Sequence, residues 1–210
     1  MPPSDRARAV LCELTRRYPH PKTNLEAETP WQLLVATILS AQCTDERVNA
    51  LTKDLFARYP DAPSLAQASL ADIETMIRPA GFFRAKARYL AESAALVCKR
   101  FGGLVPRSIP ELMLLPGVAR KTANVVLFGA YGINEGFAVD THVGRISRRL
   151  GLTEATNPVR IEQDLMGLFP QDSWGDLNHR MVWFGREQCR ARKPLCATCG
   201  MRDFCPKIGV

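Results

Sequence analysis

Four cysteines near the C-terminus have the residue type and the spacing of a metal centre. Cys189, Cys196, Cys199 and Cys205 are separated by six, two and five residues, so all four lie within a stretch of 17 residues. Cysteine thiolates bind either tetrahedral zinc or an iron-sulfur cluster. Because so short a segment buries little apolar surface of its own, the metal would supply much of its folding free energy.

The spacing favours an iron-sulfur cluster. Structural zinc sites built from four cysteines usually follow a pattern of roughly C-x2-C-x15–20-C-x2-C. Here only Cys196 and Cys199 form a close pair, and the more distant outer cysteines suit a 4Fe-4S cluster better than one ion. Zinc and a disulfide pair stay open on spacing alone. A disulfide needs an oxidising compartment, however, and the N-terminal sequence MPPSDRARAV is too short and polar for a secretory signal.

The segment 108–132 contains a second candidate site. Its apolar spacing predicts a short helix from Ile109 to Leu115, a Pro-Gly turn, and a second helix from Arg120 to Tyr131. Backbone N–H groups and the dipole at the start of a helix favour phosphate binding. Arg120 and Lys121 are cations in the first turn, where they oppose the dipole unless an anion is supplied. The pattern therefore indicates contact with DNA phosphate, and a simple αα-corner is the plainer alternative.

The rest of the chain predicts an all-α protein. Helical apolar spacing is continuous apart from short breaks, and long alternating strand patterns and repeats are absent, so we expect about ten helices. Capping signals occur at Ser69, Ser108 and Asn157. The apolar run from Trp31 to Ala41 is too short to span a bilayer and predicts a buried helix. The net charge of +7 favours a polyanionic partner.

Three motifs, taken in order, resemble those of the endonuclease III family of DNA glycosylases. They are LPGVARKTAN at 115–124, VDTH at 139–142, and the C-x6-C-x2-C-x5-C tail, and the likeness extends back through LSAQ at 39–42 to about Trp31. The resemblance implies a two-lobed helix-hairpin-helix glycosylase fold with a C-terminal iron-sulfur cluster loop. A six-helix lobe would span residues 26–134, and residues 1–25 with 135–210 would form the iron-sulfur cluster lobe. The four cysteines would hold a 4Fe-4S cluster.

The resemblance assigns catalytic roles to two residues. Lys121 would attack the sugar C1′ of a damaged nucleotide, expel the base and form a Schiff base that undergoes β-elimination. On its local context alone, Lys121 could equally well contact phosphate. Asp140 would stabilise the oxocarbenium-like transition state, although it is also a good N-cap for a helix from His142 to Leu150. Relatives that remove a base without cutting the strand lack the lysine, so this chain resembles the bifunctional members.

The resemblance also implies contacts with DNA. Gln42 would fill the space left by a flipped base, and Phe82 would wedge the opposite strand. The alternatives are a polar helix end for Gln42 and burial of Phe82 against the next helix. His142 would line the pocket or serve as a structural histidine, and the basic tail residues would contact phosphate or simply be solvated. The full DNA-contacting set is Gln42, Phe82, Gly117, Ala119, Arg120, His142, Arg190, Arg192 and Lys193.

One position departs from the family pattern. The family hairpin usually has glycine at both ends of its turn, and here the second position is Ala119, whose methyl group would crowd the backbone or a phosphate. This leaves open a weakly active or non-catalytic DNA-binding paralogue. The principal expectation is a bifunctional DNA glycosylase with AP lyase activity that removes oxidised pyrimidines in base excision repair. It would act as a monomer on double-stranded DNA with damaged bases or abasic sites, without membrane contact, in a bacterial-type cytoplasm and associated with the nucleoid.

Overall fold

The computed structural model describes residues 1–210 and consists of helices joined by loops, which confirms the predicted all-α class. None of the helices combines the length and the apolar character needed to cross a membrane. Two short 3-10 helices cover Gln171–Ser173 and Cys196–Thr198. The α-helices are α1 (Pro3–Arg17), α2 (Pro30–Leu39), α3 (Asp45–Arg58), α4 (Ala62–Ala66), α5 (Leu70–Met76), α6 (Phe83–Phe101), α7 (Ile109–Leu112), α8 (Arg120–Tyr131), α9 (Thr141–Arg149), α10 (Pro158–Leu168) and α11 (Trp174–Glu187).

The chain forms two compact units. Met1–Lys22 and Asn134–Val210 make up the first unit, and Thr23–Ile133 makes up the second. The boundaries predicted from the sequence lie after residues 25 and 134, within three residues of these. The second unit contains the seven helices α2 to α8, one more than the six-helix expectation.

The unit Thr23–Ile133 has its core around α2. This helix is apolar on nearly all sides, as in Leu34, Val35 and Leu39, so it is stable only when it is surrounded by other helices. Accordingly, α2 packs against α8, α6 and α3, while α4 and α5 pack against α6. The predicted buried helix is thus present, two residues shorter at its C-terminal end than the apolar run suggested.

The other unit joins the N-terminal helix to the C-terminal half of the chain. Helix α1 buries Val10 and Leu14 against α10 and α11, and α11 in turn packs against α9. Phe137 is fully buried in the same core. The segment that contains the four cysteines follows directly from α11, and three of these cysteines pack against this core.

The predicted helix caps are present. Ser69 and Ser108 each accept a hydrogen bond from the backbone N–H three residues later, and the Asn157 side chain accepts from Val159 and Arg160. A reciprocal capping box is found at Asp61 and Ser64, a position that the sequence analysis did not identify. These caps fix where the helices begin, because they satisfy N–H groups that have no partner within the helix.

Candidate functional site

The hairpin at residues 113–119 is held in place by α6. Gly117 has φ +79°, and a Cβ atom there would lie 2.8 Å from the Cδ2 atom of Tyr89, so both the backbone angle and the available space require glycine. The Ser93 hydroxyl donates to the carbonyl of Pro116 at 3.1 Å. Val118 is buried, and its N–H donates to the carbonyl of Leu115. The turn therefore has one well-defined conformation.

Ala119 is the N-cap of α8 and fits its position without strain. Its backbone is extended, with φ −85° and ψ 168°, a conformation that any residue adopts. The expectation that the methyl group would strain the backbone is therefore wrong. Ala119 also has no side-chain acceptor for the first turn, whereas Thr44, Ser69, Ser108 and Asp140 cap α3, α5, α7 and α9. Of the two helices of the hairpin, only α8 lacks a side-chain cap, which favours binding of an external anion at its start.

Lys121 lies in the first turn of α8, directly after Arg120. Both side chains are half-buried at the end of the hairpin. The predicted helix from Arg120 to Tyr131 agrees with the structure at both ends. Helix α8 fixes the backbone position of Lys121. The Lys121 side chain therefore begins at the same helix end that would bind phosphate.

Asp140 caps helix α9 in the other unit. Its Oδ1 atom accepts a hydrogen bond from the backbone N–H of Val143 at 2.8 Å, which confirms the predicted capping role. The helix begins at Thr141, one residue earlier than predicted. Because the cap holds one carboxylate oxygen in place, the orientation of the Asp140 side chain is fixed.

His142 is packed against α11. Its Nδ1 atom lies 3.2 Å from Nη2 of Arg145, and a Cβ atom on Gly185 would approach Nδ1 to 2.6 Å. Burial lowers the pKa of His142, and the neighbouring Arg145 acts in the same direction, while Asp140 opposes the shift. The ring is therefore neutral near pH 7.

The four cysteines line a single cavity. They line it together with Phe184, Leu195 and Met201. A 4Fe-4S cluster needs this arrangement, because each thiolate binds a different iron atom. Burial raises the pKa of the thiols of Cys199 and Cys205, so metal binding there must displace protons. The donor set and its surroundings fit an iron-sulfur cluster.

Two arginines of α9 hold the cysteine loop (residues 189–205), and the sequence analysis did not identify either. Arg149, only 7% exposed, donates from Nη1 to the carbonyl of Arg190 at 2.7 Å and to Sγ of Cys189 at 3.4 Å. Arg145 donates to the carbonyls of Cys189 and Gly185. The signal in the sequence is two arginines four residues apart, which lie on one face of a helix. Their positive charge beside a thiolate favours an anionic cluster.

The predicted basic contacts of the cysteine loop are all exposed. Arg190, Arg192 and Lys193 are exposed, whereas the four cysteines are partly buried. Lys193 has φ 52°, and the Nε atom of Arg190 donates to the carbonyl of Glu187 at 3.1 Å. These three side chains are therefore available to bind phosphate.

Gln42 and Phe82 lie on adjoining loops. Gln42 is three residues beyond the end of α2, so the alternative that it is a polar helix-end residue is wrong. Phe82 is 70% exposed, so the alternative that it is buried against the next helix is also wrong. Both have left-handed backbones, with φ 54° and 58°. A Cβ atom on Gly81 would lie 3.4 Å from the carbonyl oxygen of Gln42, so the two loops are in contact.

Comparisons with known proteins identify the family that this chain resembles in sequence. Residues 35–171 match the model of the HhH-GPD superfamily of base excision DNA repair proteins, and residues 189–205 match the iron-sulfur binding domain of endonuclease III. The chain is 53% identical to endonuclease III of Synechocystis sp., over 96% of this chain and 92% of the relative. It is 40% identical to endonuclease III of Bacillus subtilis, over 90% and 86% of the two chains.

Solved structures of relatives superimpose closely. A trapped endonuclease III–DNA covalent intermediate and a non-covalent endonuclease III–DNA complex both give a TM-score of 0.93 at 39% identity, over 99% of this chain and 97% of theirs. The chain therefore belongs to the endonuclease III family: it is a DNA glycosylase with AP lyase activity, and it carries a 4Fe-4S cluster.

Proposed function

We propose that this enzyme removes oxidised pyrimidines from double-stranded DNA through a Schiff base on Lys121, and then cuts the strand by β-elimination. The observation that carries the proposal is the position of Lys121, in the first turn of α8 and directly after a hairpin that is fixed by Gly117. The related structure described as a trapped covalent intermediate with DNA also supports a nucleophile of this kind.

The proposed chemistry begins at the sugar. The Lys121 amine attacks C1′, the bond from C1′ to the base nitrogen breaks, and the base leaves with a proton. Opening of the sugar ring gives an imine between Nζ and C1′. Loss of a proton from C2′ then breaks the bond between C3′ and its phosphate oxygen, which cuts the strand. Water hydrolyses the imine and restores the lysine.

Asp140 would stabilise the positive charge that develops on the sugar as the base leaves. Its orientation is already fixed by the hydrogen bond from Val143, so little rearrangement is needed during the reaction. The same carboxylate would accept the proton that Lys121 loses on attack. The neutral His142 ring, held beside Arg145, would line the base pocket.

DNA binding would use both the hairpin and the two exposed loops. Phosphate would bind at the start of α8 through Gly117, Ala119 and Arg120, since the N-cap has no acceptor of its own. Gln42 would fill the space of the flipped base, and Phe82, exposed to 70%, would wedge the opposite strand.

The cysteine loop would add a further DNA contact through its exposed Arg190, Arg192 and Lys193. The cluster, once bound, supplies the fixed scaffold that this loop needs, with Cys189, Cys196, Cys199 and Cys205 as its ligands. We further propose that the enzyme acts as a monomer on chromosomal DNA in the nucleoid. The choice of oxidised pyrimidines rests on family membership.

The test is product analysis with a panel of duplexes that each contain one lesion. Borohydride should trap the enzyme on abasic DNA and on duplexes with thymine glycol or dihydrouracil, because it reduces the imine. It should not trap the enzyme on a matched undamaged duplex. Binding without trapping on every duplex would instead support the non-catalytic paralogue. Trapping on oxidised purines in preference to pyrimidines would overturn the lesion class but leave the nucleophile intact.

A further inference from the structure

Lys86 is a buried lysine in α6 whose ammonium group holds the end of α2. It is only 4% exposed. Its Nζ atom donates to the carbonyl of Leu39 at 2.9 Å and to that of Ala41 at 2.7 Å. The last carbonyls of a helix have no partner within the helix, and a cation there also interacts favourably with the dipole. Lys86 therefore fixes the turn at residues 40–44, which presents Gln42.

The same residue is also bonded to the neighbouring loop. The backbone N–H of Lys86 donates to the carbonyl of Phe82 at 3.1 Å. Gly81, which precedes Phe82, packs against the carbonyl of Gln42. The side chain of Lys86 thus bonds to the turn that carries Gln42, and the main chain of Lys86 bonds to Phe82.

Both loops need this support. Gln42 and Phe82 have left-handed backbone conformations, which non-glycine residues keep only where the surroundings impose them. A buried ammonium is itself unfavourable unless it is hydrogen-bonded, and burial lowers the pKa of Lys86. Two charge-assisted bonds to carbonyls offset that burial. The core thus holds a charged group beside the contact between the two exposed loops.

We propose that Lys86 is a positioning residue that locks the Gln42 turn against the Phe82 loop, so that the two side chains enter the duplex as one preformed unit. The inference rests on the proposed roles of Gln42 and Phe82 in opening the duplex. It adds a residue that touches neither DNA nor the reacting atoms. Without Lys86, the chemistry at the sugar remains, and the opening of the duplex is impaired.

The experiment compares Lys86→Met with Lys99→Met, which removes the same charge from an exposed position on the same helix. Each variant is given a duplex with a paired thymine glycol and, separately, a single-stranded abasic oligonucleotide that needs no base flipping. Base release is measured in a single turnover, Schiff-base formation by borohydride trapping, and base displacement by the fluorescence of 2-aminopurine next to the lesion.

Lys86→Met should release the base from the duplex at least about tenfold more slowly and lose the 2-aminopurine signal, because two charge-assisted hydrogen bonds are gone. Trapping on the single-stranded abasic oligonucleotide should stay within about twofold of the wild type. Lys99→Met should match the wild type on both substrates. In a Gln42→Ala, Phe82→Ala background, Lys86→Met should slow base release by no more than about threefold further, because its route of action has already been removed.

Equal losses on the two substrates would overturn the proposal, because they would show a general structural role. So would unchanged 2-aminopurine fluorescence, or a full tenfold loss in the double-alanine background. If Lys86→Met loses its helical circular dichroism, the same criteria apply to Lys86→Gln, whose side chain is polar but uncharged and shorter, so it cannot restore both charge-assisted bonds. A wild type that traps on neither substrate would count against the proposed function itself, which separates the two failures.

Discussion

Exchanging glycine and alanine should damage the hairpin at one end of its turn and leave DNA binding unchanged at the other. Gly117 has φ +79° and is tightly packed against Tyr89, whereas Ala119 has φ −85° in extended backbone. We therefore predict that Gly117→Ala damages the hairpin and that Ala119→Gly leaves DNA binding unchanged. The two variants differ by the same methyl group, so each is the control for the other.

The size of the effect follows from the two costs at Gly117. An alanine in the left-handed region costs about 1–2 kcal/mol. Its Cβ atom would lie 2.8, 3.0 and 3.1 Å from three atoms of Tyr89, and overpacking of this kind costs about 1–3 kcal/mol. If the hairpin stays rigid, the cost lowers the free energy of unfolding. If the hairpin relaxes, the cost weakens DNA binding instead. The two losses together should reach about 2–5 kcal/mol.

The assay measures both quantities. Urea unfolding gives the stability loss, and fluorescence anisotropy with an abasic-analogue duplex gives the dissociation constant at several salt concentrations. For Ala119→Gly we expect about 0.4–1 kcal/mol lower stability, from the greater freedom of the unfolded chain, and an affinity within about twofold of the wild type. A relaxed Gly117→Ala hairpin should flatten the slope of log K against log salt by about one unit for each lost phosphate contact.

The reasoning would be refuted by the reverse pattern. Tighter binding and a steeper salt slope in Ala119→Gly would show that the methyl group does crowd a phosphate. A Gly117→Ala variant that keeps both wild-type stability and wild-type affinity would show that the turn tolerates a side chain, and that its geometry does not control DNA binding.

Three further predictions concern the catalytic and metal-binding residues. Lys121→Gln should abolish base release, strand cleavage and borohydride trapping while DNA affinity stays within about tenfold, and undiminished trapping would exclude Lys121 as the nucleophile. Asp140→Asn should keep the unfolding free energy within about 0.5 kcal/mol of the wild type, because asparagine is as good a cap, yet it should slow turnover at least about a hundredfold. Asp140→Ala should lower both the unfolding free energy and the turnover rate. A fully active Asp140→Asn would show that Asp140 serves only as a helix cap. Cys199→Ser should lose visible absorbance, thermal stability and DNA affinity, with Cys12→Ser as the control; equal absorbance in the two would contradict Cys199 as a ligand.

Features that depend on neighbours within a few residues could be predicted from the sequence. The caps at Ser69, Ser108 and Asn157 were predicted because a cap bonds to N–H groups two or three residues away. The helix from Arg120 to Tyr131 was predicted at both ends for a similar reason, since Pro-Gly before it and Gly132 after it mark its limits. The spacing of the cysteines was also sufficient to indicate a cluster.

Features that depend on the backbone angle of a single residue could not be predicted. The sequence does not show whether the φ of Ala119 is positive, and the structure places it at −85°. Phe82 was as well suited to a buried position as to an exposed one, because an aromatic residue before an amphipathic helix fits either. Its exposure is decided by the left-handed turn that directs it outward.

By itself, the sequence determined the all-α class, the hairpin, the iron-sulfur cluster and the family, because these depend on residue types at short, fixed spacings. Tertiary structure alone decided which charged groups lie inside the protein. The ammonium of Lys86 meets a carbonyl 47 residues earlier, and the guanidinium of Arg149 meets Cys189 40 residues later. Both look like ordinary surface charges on helices in the sequence. Their partners are set by how the helices pack, and local periodicity carries no information about contacts across such distances.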